Sequence, residues 1–340
     1  MLPSAHDWRL GWAFARSLSS YYLRGKPRPL SASFAVTNRC NLRCQYCNTP
    51  FLDPRHLDLA DIDRLFSRLR ALGVERLGLA GGEPLVRNDL GEVVRLAAER
   101  GFWISINSNL NLYHRHPAVF DRVSLVFTSL DGTEEHHRAG RGDRSLEGTI
   151  EAIRDLRRRR IPVVAICVVD THNLDDASYL LGLAEELDVR IHFQARCTDT
   201  EIVRGDYPDD LDNQRLRSFW RELAGRDSRR IASTPLYLDH MAGWSDFRRI
   251  AVRDDARRCA AGRGFLYVDP QGLAYPCAYT KGQVAPIDLL REEWSCSGSA
   301  PCTDCAVGPM AEFNLLFRRP FRAATDAFRR YGSGADRDSP

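Results

Sequence analysis

Over residues 33–194 the chain alternates short apolar runs with stretches whose apolar residues recur every three or four positions. The runs at 33–37, 76–80, 103–108, 123–130, 162–169 and 190–194 read as strands. The stretches at 60–72, 88–100, 146–159 and 174–187 read as helices, each with one apolar face. Strands alternating with helices predict an α/β protein with a parallel sheet and right-handed crossovers. Eight such units would close a TIM barrel, and six are counted here. In either form the chemistry belongs at the C-terminal ends of the strands.

The rest of the chain patterns differently. Residues 8–23 bring Trp8, Trp12, Phe14, Tyr21 and Tyr22 together with Arg9 and Arg16. Such a helix could lie on a membrane surface or face an apolar substrate. Packing on the outside or mouth of the strand–helix body is the reading preferred. Residues 195–258 are richer in charge and in Asp, Gly and Pro, with helices expected at 211–224 and 236–252. Beyond them, the run FLYVDPQGLAYPC alternates, turns at Asp269-Pro270-Gln271-Gly272 and alternates again, which is a β-hairpin pattern. The last residues, GSGADRDSP, are polar and expected to be disordered.

With 340 residues, 44% of them hydrophobic, the chain can bury one large core with a small satellite. A formal net charge of +3 gives no reason to expect nucleic acid as a partner. The only basic run, Arg157 to Arg160, ends a predicted helix, where positive charge complements the helix dipole. No apolar run is long enough to span a bilayer, and the N-terminus lacks the pattern of a signal peptide. A cytoplasmic location is therefore expected, where clustered cysteines mean metal more often than disulfide.

Two groups of cysteines carry the candidate chemistry. Cys40, Cys44 and Cys47 stand in CNLRCQYC, directly after the first predicted strand. Three clustered thiolates can hold three irons of a [4Fe–4S] cluster, which four thiolates usually hold. One iron is then left for another ligand. A structural zinc site wants four ligands, and only a distant residue such as His56 could complete it here. The second group is Cys259, twelve residues, Gly272, four residues, Cys277, followed by Cys296 and the pair Cys302-Thr303-Asp304-Cys305.

The triplet, with Tyr46 before its last cysteine, resembles the signature of the radical SAM superfamily. The match extends to Gly81-Gly82-Glu83-Pro84 after the second strand and to SLDG, containing Ser129, Asp131 and Gly132, at the fourth. The resemblance implies a partial (β/α)6 TIM-like barrel. It also implies that the open iron of a [4Fe–4S] cluster chelates S-adenosyl-L-methionine. One electron then cleaves the cofactor to a 5′-deoxyadenosyl radical that abstracts hydrogen. An external one-electron donor such as flavodoxin or ferredoxin is implied as partner. The glycine pair lets backbone approach a ligand closely, and Glu83 is expected at the methionyl ammonium. Ser105, Asn107 and Asn109 are expected at the ribose, and Ser129, Asp131 and Gln194 at later strand ends. In EHHRAGRG, Arg141 is expected to take the AdoMet carboxylate, as an Arg fork can, while His136 and His137 read as partly exposed loop residues.

The second group resembles the twitch domain, a shortened SPASM domain. It implies an auxiliary [4Fe–4S] cluster on Cys259, Cys277, Cys302 and Cys305, with Cys296 an alternative ligand and a structural zinc ribbon the competing reading. The organisation expected is a helical extension (1–32), the barrel (33–195), a helical connector (196–258), the small hairpin-and-helix auxiliary domain (259–305), a C-terminal helix (306–330) and the tail (331–340). The resemblance leaves the substrate open. A small molecule such as a sugar, cyclitol or other secondary metabolite, dehydrogenated or epimerised, is preferred, because only 39 residues precede Cys40 and peptide-modifying relatives usually carry a recognition domain there. A peptide or protein substrate is the alternative. A lipid substrate and a non-catalytic iron–sulfur protein are the lesser ones. An epimerase needs a hydrogen donor, commonly a thiol, and Cys167 and Cys197 are the unassigned candidates.

Overall fold

A computed structural model describes residues 5–23, 26–142, 146–196, 211–249, 251–252, 259–295, 302–322 and 325. Helix α1 (Ala5–Leu23) leads into β1 (Ser31–Thr37), α2 (Leu59–Leu72), β2 (Arg76–Gly81), α3 (Leu90–Glu99), β3 (Trp103–Asn107) and β4 (Leu125–Ser129). Then come α4 (Glu134–Arg141), α5 (Leu146–Arg158), β5 (Val163–Val169), α6 (Ala177–Glu186) and β6 (Arg190–Ala195). Each of the six expected strands is present with ends shifted by a residue or two. The helix expected from 174 opens as a 3-10 turn, Leu174–Asp176, before α6. Helix α4 occupies a segment read as loop.

Strands β1 to β6 pair in parallel and in sequence order, which is the topology of the partial barrel. Alternation along each strand sorts the side chains. Phe34, Leu77, Leu79, Ile104, Ile106 and Val126 are buried toward the helices, where Phe34 meets Phe66 of α2 edge-on, 6.1 Å between ring centroids. Ser33, Gly78 and Ser105, in register with one another, face the barrel interior instead. Helix α2 shows how local sequence sets these elements. Asp58 caps its first turn by accepting from the Asp61 N–H at 2.8 Å, and Gly73 ends it in the left-handed region at φ +96°.

The connector holds α7 (Asn213–Gly225) and α8 (Pro235–Ala242). The helix expected over 236–252 stops at Gly243. Trp244 then folds the chain back by donating its indole N–H to the carbonyls of Asp246 and Arg249, and β7 (Ala251–Val252) follows. The expected hairpin forms from β8 (Phe265–Val268) and β9 (Leu273–Tyr275). Asp269 accepts the N–H groups of Gln271 and Leu273, and Gly272 takes φ +86°. Strand β8 also pairs in parallel with β1, so the hairpin and β10 (Ile287–Asp288) extend the barrel sheet to nine strands in the order β10-β9-β8-β1-β2-β3-β4-β5-β6. A separate two-stranded ribbon joins β7 to β11 (Asp304–Cys305), and α9 (Gly308–Arg318) closes the described chain.

Helix α9 bridges the two sides of the barrel gap. A Cβ on Gly308 would come within 2.6 Å of Gln194 Cβ on β6, and one on Gly264, just before β8, within 2.6 Å of Phe317. Helix α1 packs on the far end of α9 through edge contacts of Phe14 and Tyr21 with Phe317, each 5.7 Å between ring centroids. This is the packed arrangement preferred from the sequence, although Trp12 remains largely exposed. Among the described residues no helix is long and apolar enough to cross a membrane. The expected tail at 331–340 lies outside the described residues.

At the C-terminal ends of the strands, β1 and β2 leave the sheet in direct backbone contact. Gly81 has φ +124°, and a Cβ there would lie 2.2 Å from the Thr37 carbonyl oxygen; one on Gly82 would lie 2.3 Å from that of Arg39. At Gly78, lower in the same strand, an added Cβ would meet Ser105 Oγ at a tolerable 3.4 Å. Gly81→Ala and Gly82→Ala are therefore expected to destabilise the cluster-free protein by about 3 kcal/mol each, and Gly78→Ala by under about 0.5 kcal/mol. Urea titrations followed by circular dichroism check the ranking, and equal losses at all three positions would contradict it.

Candidate active site

The cysteine loop leaves β1 and lies over the strand ends. Cys44 is buried and Cys40 and Cys47 are half-buried. The Leu42 N–H points at Cys40 Sγ, 3.4 Å away. Burial pushes the Cys40 thiol up to about 12, offset in part by that N–H, with Glu83, Cys44 and Cys47 adding repulsion. Burial also raises Cys44, while the nearby Arg141 charge acts the other way. Cys40 and Cys44, costly to ionise unaided and within repelling reach of each other and of Cys47, suit a cationic iron centre that takes up their charge. Among the described residues no three His, Cys, Asp or Glu side chains surround a single point as ligands of one metal ion would. Three thiolates in one loop match the donor set of a cubane, whose ligands are spread over several irons. His56 forms no part of such a trio.

The GGEP turn is packed tightly against the neighbouring strand exit. Its glycines press against Thr37, Asn38 and Arg39 of the preceding strand exit, so their first requirement is chain packing. Gly82 donates to the Thr37 carbonyl (2.8 Å) and Glu83 to that of Arg39 (2.9 Å), and Pro84 opens a 3-10 turn. The Glu83 carboxylate is fully buried. It accepts from the Leu85 N–H (3.0 Å), the Ser108 hydroxyl (2.7 Å) and the Asn109 N–H (2.7 Å). Burial nonetheless pushes it up to about 7. One acceptor site of the carboxylate is left for a cation.

The residues expected at the ribose separate. Asn107 ends β3 and Ser105 lies one interior layer lower, while Ser129, expected at a later strand end, ends β4. Asn109 is held within the protein: its Nδ2 donates to Asn41 Oδ1 of the cysteine loop (2.9 Å), and its Oδ1 accepts from the Asn111 N–H. Gln194 on β6 packs against Gly308 at the start of α9.

Asp131 is likewise engaged inside the protein. It accepts from Arg141 Nε at 2.5 Å, from the Val168 N–H at 2.9 Å and from the Tyr46 hydroxyl at 3.3 Å. It therefore positions Arg141 and Tyr46. The Arg141 guanidinium lies 5.7 Å from the Tyr46 ring centre, and the Gln45 N–H donates to the Gly140 carbonyl. Helix α4 is thereby docked onto the cysteine loop. Arg141 is thus near the triplet as expected, with Asp131 as its partner in this structure.

His136 and His137 stand on α4 and not on a loop. His137 is buried, its Nδ1 accepts from the Asp131 N–H at 3.3 Å, and burial pushes its imidazole down to about 4, so it is neutral. His136 pairs with the buried Asp176 at 2.6 Å. Asp176 also accepts from the Thr133 N–H, and the missing Cβ of Gly132 leaves room for it. Asn173 donates to the carbonyls of Asp131 (2.7 Å) and Val168 (2.8 Å). Asn41, Asn173 and Asp176 shape the site, yet no motif marks them. Cys167, on β5, is buried in the core on the helix side of the sheet, with Sγ 3.8 Å from the Asp131 carbonyl. Cys197 lies outside the described residues.

The second group converges at the sheet edge. Cys259 precedes β8, Cys277 follows β9, and Cys305 ends β11. The Cys259 N–H donates to the Cys302 carbonyl at 3.1 Å. Burial raises the Cys305 thiol, and repulsion from Cys259 and Cys277 adds to it. Burial raises Cys259 too, and Cys302 is among the neighbours that oppose its ionisation. The four cysteines are thus linked, Cys305 to Cys259 and Cys277 and Cys259 to Cys302, which suits a cluster that takes up thiolate charge. Cys296 lies outside the described residues.

Residues 34–184 match the model of the radical SAM superfamily. The chain is similar to the PqqA peptide cyclase of Ruegeria pomeroyi, 34% identical over 172 residues, which are 48% of this chain and 46% of that protein, about half its length. In fold it is similar to Streptococcus suis SuiB bound to S-adenosylmethionine, with TM-score 0.67 and 14% identity over 88% of this chain and 72% of SuiB. It is also similar in fold to anSMEcpe with bound AdoMet and Cp18Cys peptide, with TM-score 0.61 and 17% identity over 78% of each chain. Members of the matched family use a [4Fe–4S] cluster and AdoMet. The cysteine loop, the GGEP turn and the SLDG turn all fall within the matched segment, and they mark residues 34–184 as a radical SAM domain.

Proposed function

We propose that this radical SAM enzyme modifies a peptide. The observation that carries the reading is the 34% identity to a peptide cyclase across half of the chain. The peptide-bound state of a neighbour in fold agrees with it. The small-molecule expectation rested on the short segment before Cys40 and, for epimerisation, on an interior thiol. Cys167 faces away from the interior, which removes one support for it.

In this reading Cys40, Cys44 and Cys47 hold the AdoMet-binding cluster, and Cys259, Cys277, Cys302 and Cys305 hold the auxiliary one. Bound cluster and AdoMet together supply a carbon radical that takes hydrogen from an unactivated C–H bond. The protein's part is placement. Glu83 offers its remaining acceptor site to the AdoMet ammonium. Arg141, held by Asp131 against Tyr46, keeps positive charge beside the cysteine loop. Helix α4 covers that loop and α9 bridges the gap between β6 and β8, which limits water at the strand ends.

Three outcomes are expected. Anaerobically reconstituted protein should hold about eight iron per chain, and Cys302→Ser with Cys305→Ser about four; about four in the parent would remove the auxiliary cluster. AdoMet affinity should fall by up to about tenfold per unit as pH drops below about 7, because the ammonium favours ionised Glu83 and binding must displace its proton. Glu83→Gln should bind more weakly with a flat profile, and calorimetry showing a flat profile in the parent would detach Glu83 from the ammonium. Finally, deuterated versions of short peptides encoded beside this gene should pass deuterium into 5′-deoxyadenosine, detected by mass spectrometry. Transfer from small metabolites and from none of the peptides would overturn the peptide reading.

A further inference from the structure

Helix α9 lies along the second cysteine group and presents two polar side chains to it, one turn apart. Arg318 donates to the Thr303 carbonyl at 3.2 Å and pairs with Asp304 at 3.2 Å, between Cys302 and Cys305. Its charge is also felt at the Cys259 thiol. Asn314, four residues earlier and so on the same face, is 1% exposed. Its Oδ1 accepts from the Ala260 N–H at 3.0 Å, and the next N–H, that of Ala261, points at Cys259 Sγ at 3.5 Å. Because a backbone N–H can only donate, the amide orientation of Asn314 is set by chemistry: oxygen toward Ala260, NH₂ on the other side.

Among the described residues Asn314 Nδ2 has no acceptor, and its burial leaves no route to water. A buried donor without a partner is costly, and native proteins seldom keep one unless something outside the polypeptide supplies the acceptor. The electron-rich group expected at this place is an iron–sulfur cluster on Cys259, Cys277, Cys302 and Cys305, whose sulfurs accept hydrogen bonds.

We propose that Asn314 Nδ2–H donates to a sulfur of the auxiliary cluster and raises its reduction potential. The inference rests on the auxiliary-cluster reading above and adds to it a tuning residue that no cysteine pattern marks. The direction follows from charge. Reduction adds an electron to the cluster, a hydrogen bond to sulfur stabilises the more negative form, and the potential rises. Arg318 acts in the same sense through its charge, and its ion pair with Asp304 weakens that contribution.

Full-length protein carrying Cys40→Ala, Cys44→Ala and Cys47→Ala isolates the auxiliary cluster, and its iron content and reduced-state electron paramagnetic resonance signal first establish that the cluster is present. Absence of that signal and of iron would defeat the cluster reading, and the proposal with it. With the signal present, hyperfine spectroscopy on protein labelled with ¹⁵N in the asparagine side-chain amides is expected to show a nitrogen coupled to the cluster. The coupling should vanish in Asn314→Leu. In redox titrations Asn314→Leu should shift the oxidised-to-reduced ratio at fixed ambient potential at least tenfold toward the oxidised form, about 59 mV for a one-electron couple. A parent protein with the cluster signal and no coupling from labelled asparagine overturns the proposal, whether or not the variant folds. So does a folded variant of unchanged iron content whose potential matches the parent's.

Discussion

The catalytic end of this protein depends on how closely the exits of β1 and β2 approach. Two hydrogen bonds, from Gly82 to the Thr37 carbonyl and from Glu83 to that of Arg39, hold the second exit against the chain that leads into the cysteine loop. No side chain fits between them, which is why two glycines stand there. Glu83 is then delivered to the buried position from which it holds the exit of β3 through Ser108 and Asn109. Asn109 reaches back to Asn41 within the cysteine loop. Three strand ends and the loop thus form one closed circuit of bonds.

A second circuit holds the same loop from the other side. Asp131, at the turn after β4, joins β5 through the Val168 N–H, α4 through Arg141 and the cysteine loop through Tyr46. Neutral His137 and Asn173 support the backbone of that turn. Removing Asp131 would leave Arg141 as an uncompensated buried charge, which costs more than the pair contributes. The loop is gripped at Asn41, Gln45 and Tyr46, on either side of Cys44, while Arg43 stays exposed.

Much of this was legible in the chain. Periodicity located β1 to β6 within a residue or two, because strands buried on one face and helices with one apolar side leave clear spacing. The hairpin was legible from Asp269 and Gly272, whose turn chemistry is local. The helix expected through 252 was not, since Gly243 and the Trp244 indole end it by contacts that periodicity does not register. Motifs singled out Glu83, Asp131 and Arg141, which the fold gathers at the strand ends around the cysteine loop. They gave no sign that Asp131 would face Arg141, or that the glycines would face a neighbouring strand.

Sequence by itself determined the parallel six-strand order, the position of the cysteine loop and the GGEP turn at strand ends, and the family they indicate. These depend on short-range spacing. Tertiary structure decided what lies across the chain. It joined the second cysteine group to the barrel sheet through the pairing of β8 with β1. It turned Cys167 outward, because strand alternation on β5 puts that position on the helix side. It also buried Asn314 beside Cys259 from a helix some fifty residues away. A side chain's partners depend on how the elements close in space, and residues that distant share no local pattern.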